Sequence, residues 1–289
     1  MNSIIIVDDD KDFIKSFTNE VAVKNITVSP KNSLDGLKTL LPALAHKYAA
    51  VVLDIKCLLT DDQAKEAPSF IGTALKYLDT NIPGFPRLIL TGDESEFNDL
   101  KKFYPDEKMY LKKPDQQAAL INELEYYVAN AEPLRIKREN RQVFEVFELG
   151  KMNNASEIQL LRILTTGLKE KDFGKFKGIL ADIRSFQEAI YKSINSRNTT
   201  VVPDNMFRPN GMINFNDLMK HLSGGAVPPQ TPTNTVYQVP TIYQLANSLY
   251  WSCGEYIHED PQRVYFISEY AVRSLINNLL ELTIWSKLY

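Results

Sequence analysis

Ala49-Ala50-Val51-Val52-Leu53-Asp54-Ile55-Lys56 carries five apolar residues straight into one carboxylate. An unbroken apolar run of that length, rich in valine, suits a strand buried on both faces, as in a parallel sheet covered by helices. The middle of such a strand has no use for a carboxylate. At its carboxyl end the same group faces the crevice where open α/β sheets bind ligands. Strands also end in Asp because the next turn favours it, so the weight of Asp54 depends on the other strand ends.

Working outward, Ile4-Ile5-Ile6-Val7 is a second β-branched run, and it ends in Asp8-Asp9-Asp10. A helix pattern follows it through Phe13, Ile14, Phe17 and Val21. Ile26-Thr27-Val28 is a short strand, and residues 32–41 read as a helix with Leu34, Leu37, Leu40 and Leu41 on one face. Arg87-Leu88-Ile89-Leu90-Thr91-Gly92 is a fourth run, and Lys108-Met109-Tyr110-Leu111-Lys112-Lys113-Pro114 a fifth. Helix patterns follow both, including Asp115 to Val128. Strands alternating with helices of this size predict a doubly wound parallel sheet.

The residues that end the strands suggest the chemistry. Asp8 and Asp9 end the first, Asp54 the third, Thr91 the fourth and Lys113 the fifth. All stand at carboxyl ends and can converge on one crevice. Carboxylates packed together repel unless something offsets their charge. Mg²⁺ does so: it takes oxygen ligands, keeps several waters and bridges carboxylates to phosphate. A hydroxyl and an ammonium complete a site for a phosphoryl group, and an ionised carboxylate can be the nucleophile that forms an aspartyl-phosphate.

Val7-Asp8-Asp9, Val52-Leu53-Asp54, Leu90-Thr91-Gly92 and Lys113-Pro114 resemble, in this order, the receiver domain of two-component response regulators. The resemblance covers roughly residues 1–130. It implies a flavodoxin-like five-stranded sheet, with Asp54 as the phospho-acceptor. It further implies Mg²⁺ held by Asp9, Asp54 and the backbone carbonyl of Lys56, with Asp8 in support. Thr91 binds the phosphoryl group, Lys113 pairs with it, Lys113-Pro114 is a cis peptide, and Tyr110 is the switch aromatic. The partner it implies is a histidine kinase or phosphotransfer protein. Lys56 and Asp93 are expected to face each other across the mouth of the crevice. One stretch departs from the pattern: Cys57 to Ser69 is longer and more charged than the short loop usual there.

The chain has 289 residues, enough for two domains, and is 44% hydrophobic, ample for packed cores. A formal net charge of -3 gives no general reason to expect a nucleic-acid partner. Cys57 and Cys253 are far apart, which excludes a disulfide scaffold and makes a reducing, cytoplasmic setting the expectation. No apolar run approaches the ~20 residues of a membrane span, so no membrane is expected.

The second half reads as all-helical. We expect a receiver-like domain over 1–131, whose last helix runs to about Ala131 and is interrupted by Pro133, a connecting helix over 132–152, and a helical-bundle output domain over 153–289. Ser156 suits an N-cap. Gly224 to Pro240 holds four prolines and predicts a mobile loop. Helices are expected over 216–222, 241–258 and 265–288. The last is apolar enough to be either central to a bundle or part of a homodimer interface. Ile183-Arg184-Ser185-Phe186-Gln187-Glu188 and Gly254-Glu255-Tyr256-Ile257-His258 give this half a weak similarity to HEPN-like helical domains. The Arg-to-His spacing of HEPN ribonucleases is not present before His258. No helix-turn-helix with a basic recognition helix is found. The reading is therefore a response regulator signalling through a helical interaction domain, with a phosphorylation-gated ribonuclease or a DNA-binding regulator as the alternatives.

Overall fold

The run into Asp54 forms a short strand, β3 (Val51–Leu53), with every residue buried. A computed structural model describes residues 2–228, 234–258 and 267–289. β3 is the middle strand of a parallel five-stranded sheet that also holds β1 (Ser3–Val7), β2 (Thr27–Lys31), β4 (Arg87–Thr91) and β5 (Met109–Leu111). The order is β2-β1-β3-β4-β5, that of flavodoxin-like sheets. Val7 pairs with Leu53 and Leu53 with Ile89, so the ends of the central strands lie level.

Alternation along the strands builds two cores. Ile5, Val7, Val51, Leu53 and Ile89 face one side and pack with Leu34, Leu37, Phe70 and Leu75. These come from α2 (Leu34–Leu40) and α3 (Phe70–Asn81). Ile4, Ile6, Val52, Leu88 and Leu90 face the other side and pack with Phe17, Val21, Leu120 and Leu124. These belong to α1 (Lys11–Ala22) and α5 (Pro114–Ala129). α4 (Glu94–Phe103) contributes no fully buried residue.

The helices after the sheet are α6 (Ala131–Glu139), α7 (Arg141–Glu148), α8 (Asn154–Arg162), α9 (Phe173–Arg197), α10 (Phe215–Leu222), α11 (Pro240–Ile257) and α12 (Glu269–Ser286). The chain divides into two units, Met1–Arg138 and Glu139–Tyr289. The expected connecting helix over 132–152 is two helices, divided between the units. Pro133 does not interrupt α5. It sits in the first turn of α6, where its missing N–H leaves no bond unmade, and the break falls at Asn130 instead.

In the second unit α9, α11 and α12 pack together. Val272, Ile276, Leu279 and Leu282 of α12 are fully buried, which makes it the central helix of the bundle. Its expected first residues, 265 and 266, lie outside the described ones. So does part of the expected mobile loop over 224–240, but Tyr237 and Gln238 within it are held in place. Tyr237 N–H donates to the Leu222 carbonyl (2.8 Å), Trp285 Nε1 to the Tyr237 carbonyl (3.0 Å), and Gln238 is buried. The N-cap of α8 is Asn153 rather than Ser156: Asn153 Oδ1 accepts from Ser156 N–H at 2.9 Å. A cap residue must precede the helix it closes, and Ser156 already lies in the first turn. Among the described residues no helix is long and apolar enough to cross a membrane.

Candidate functional site

Beyond Val7 and Leu53 the two central strands each place one carboxylate in the crevice, Asp8 and Asp54. Asp8 is buried, and the Asp54 side chain keeps 13% exposure. Lys112 Nζ donates to Asp8 Oδ2 and to Asp54 Oδ2, both at 2.8 Å, from the far edge of the sheet. Its ammonium also lies 4.2 Å from the centre of the Phe13 ring. Asp10 N–H donates to Asp8 Oδ1 (3.0 Å) and Ile55 N–H to Asp54 Oδ1 (2.6 Å), so every carboxylate oxygen of the pair has a donor.

These contacts set the electrostatics. Burial pushes the Asp8 carboxyl up to about 6, and the charge of Asp54 pushes the same way against the pull of Lys112. Burial also raises Asp54, offset in part by Lys112 and the Ile55 N–H. Lys112 is driven down by burial, but the two carboxylates outweigh that and its net shift is upward. With both acids ionised, one ammonium facing two carboxylates leaves an excess of negative charge, which favours a cation or a proton there.

Asp9 is half-buried at the same edge. Burial raises the Cys57 thiol to about 12, and the charges of Asp9, Asp8 and Asp54 push the same way. Cys57 Sγ donates to the Asn32 carbonyl (3.2 Å) and is an inert, buried thiol. Thr91 is buried, and its hydroxyl oxygen accepts from Asp93 N–H at 3.1 Å. Tyr110 is half-buried beside the α1/α5 core, its phenol raised by burial and by Glu123.

The structure corrects three expectations. The lysine in the crevice is Lys112, not Lys113. Lys113 Nζ pairs with Glu94 Oε2 at 3.0 Å, and both side chains are half exposed or more. Successive residues of a strand point to opposite faces. Lys112 shares the side of Tyr110, the side on which Asp8 and Asp54 also continue their strands, and Lys113 is turned away. That alternation was readable once Tyr110 was assigned a face. The second correction is the cis peptide, which lies at Leu41-Pro42. Lys113 is instead the extended N-cap before Pro114, which opens α5. The third concerns the mouth. Lys56 Nζ pairs with Glu96 Oε1, whereas Asp93 is occupied as the N-cap of α4, with Oδ1 accepting from Ser95 N–H (2.9 Å) and Glu96 N–H (3.0 Å).

The Cys57–Ser69 stretch is fastened to the β2–α2 side of the crevice. Leu34 N–H and Asp35 N–H, in the first turn of α2, donate to the carbonyls of Leu58 (2.9 Å) and Leu59 (3.1 Å). Ser33 Oγ accepts from Gly36 N–H (2.9 Å) and donates to Asp61 Oδ1 (2.5 Å). Three N–H groups that a helix start leaves without partners are satisfied in this way.

In the second unit Arg184 lies 3.7 Å from the Tyr250 ring and donates to the Tyr250 carbonyl (2.9 Å). His221 is buried with Nε2 3.1 Å from the Thr200 carbonyl, and His258 is the C-cap of α11. Both Arg184 and His221 are held as packing groups.

No family model matches the chain, and no curated protein matches it.

Proposed function

We propose that the first unit is a response-regulator receiver that accepts a phosphoryl group on Asp54 from a histidine kinase or phosphotransfer protein. The observation that carries this reading is the Lys112 ammonium spanning Asp8 and Asp54 at the carboxyl ends of adjacent parallel strands. In the transfer an Asp54 oxygen attacks phosphorus, an O–P bond forms, and the P–N bond of a phosphohistidine breaks. The electron pair leaves with the imidazole, which takes up a proton. Lys112 exchanges one carboxylate for a phosphoryl oxygen. Thr91 accepts from Asp93 through oxygen, so its own proton is available to a second phosphoryl oxygen.

Among the described residues no three acidic, thiol or imidazole groups are gathered as a ready metal cluster. Mg²⁺ does not need one, since one or two carboxylates, several waters and a phosphate suffice. Asp8 and Asp54, with Asp9 nearby and the Lys56 carbonyl two residues beyond Asp54, fit that donor chemistry and would hold it. Bound there, Mg²⁺ would supply positive charge to offset that of the phosphoryl oxygens. The helical unit then serves as an interaction-based output, with Thr91 and Tyr110 relaying the change.

Incubation with acetyl phosphate and Mg²⁺ should add one phosphoryl group by intact mass, and Asp54→Asn should abolish it. An Asn variant that still gains the mass would defeat the assignment.

A further inference from the structure

We propose that Phe13 is the positioning residue for the Lys112 ammonium, a role that deepens the receiver reading above and rests on it. An ammonium has three donors. Lys112 Nζ gives one to Asp8 Oδ2 and one to Asp54 Oδ2, both at 2.8 Å. The third meets no oxygen among the described residues. The remaining contact of the cation is the Phe13 ring: Nζ stands over its face, 4.2 Å from the centre. The face of an aromatic ring carries partial negative charge and attracts a cation, more strongly out of water. The Lys112 side chain keeps only 17% exposure.

Phe13 is itself held in register with the acids. Asp8 Oδ1 accepts from Asp10 N–H (3.0 Å), and Asp10 Oδ1 accepts from Phe13 N–H (3.0 Å) in the first turn of α1. The contacts close a circuit from Asp8 through Asp10 and Phe13 to Lys112 and back to Asp8. Phe13 also stacks on the fully buried Phe17, with ring centres 5.7 Å apart and planes inclined by 27°. The ring is thus anchored both to the acids and to the α1/α5 core. A phosphoryl group on Asp54 draws the ammonium from a carboxylate oxygen to a phosphoryl oxygen. Phe13 confines that movement to a short swing over its face, so the cation arrives where the reacting oxygens stand.

The test joins a spectroscopic readout to a rate, both on the full-length protein. The Lys112 ε-methylene protons, assigned by comparison with Lys112→Arg, should resonate upfield of ordinary lysine positions, because a ring current shields what lies above its face. Phe13→Leu keeps the apolar bulk and removes the π face. It should return those signals to the ordinary position and slow phosphorylation by acetyl phosphate with Mg²⁺ about fivefold, the weight of one desolvated cation–π contact. Phe13→Tyr keeps a ring and should retain both properties of the parent. Phe13→Met takes the place of the Leu variant if that one does not fold. The role of Phe13 is overturned if the parent's Lys112 signals are unshifted, or if the ring-less variant keeps the parent rate. It is overturned equally if that variant lowers the urea midpoint without moving the Lys112 signals. A parent with shifted Lys112 signals that takes up no phosphoryl group overturns the receiver reading and not the placement of the ammonium.

Discussion

At the residue scale the crevice contains a charge imbalance that can be measured. Asp8 is raised in the folded protein from its ordinary value of 3.8 to about 6. The folded state therefore binds more protons than the unfolded chain between those values, so stability falls as pH rises through about 4 to 6 and levels off above. Asp8→Asn should reduce this slope, leaving the part that comes from the raised Asp54, and make the protein more stable at pH 7, by up to a few kcal/mol. Urea midpoints at pH 5 and pH 7 check it, and equal pH dependence in parent and variant would sink the idea. The two lysines should behave oppositely. Lys112→Ala leaves two buried carboxylates facing each other and should cost on the order of 2 kcal/mol, less than a fully buried broken pair because the lysine keeps some solvent contact. It should also abolish any response of the rest of the unit to phosphorylation. Lys113→Ala, which removes only an exposed pair, should change stability by under about 0.5 kcal/mol. Equal losses from the two variants would return the role to Lys113.

At the element scale the loop after Asp54 is a brace. It caps the start of α2 with its own backbone and holds Ser33 through Asp61. Ser33→Ala removes a side-chain cap and orphans Asp61, so it should destabilise by about 1–2 kcal/mol in urea unfolding. A cost below a few tenths would mean the loop backbone alone secures the helix.

At the scale of the whole molecule, each unit has its own core, and the division falls between Arg138 and Glu139. The long apolar α12 was the reason to expect a homodimer, but its apolar face is used inside the bundle against α9, α11 and α7. A fragment of residues 139–289 should accordingly fold on its own and stay monomeric at about 100 µM by light scattering, since the continuous apolar face of α12 is buried and Tyr270 is its one large exposed aromatic or aliphatic side chain. A doubled mass would support the homodimer expectation and point to another face of the unit.

The amino-acid sequence by itself determined the sheet, because five apolar runs separated by helical periodicities have few other ways to bury their backbones. It also located Asp8, Asp54 and Thr91, since a polar residue closing a fully buried run can only stand at a strand end. It did not decide between Lys112 and Lys113. Both follow β5, and the choice rests on which face Tyr110 takes against α1 and α5. Nor did it reveal the brace on α2 or the burial of α12. Each of these depends on contacts between residues far apart in the chain, and local pattern cannot specify which distant surface comes to meet it.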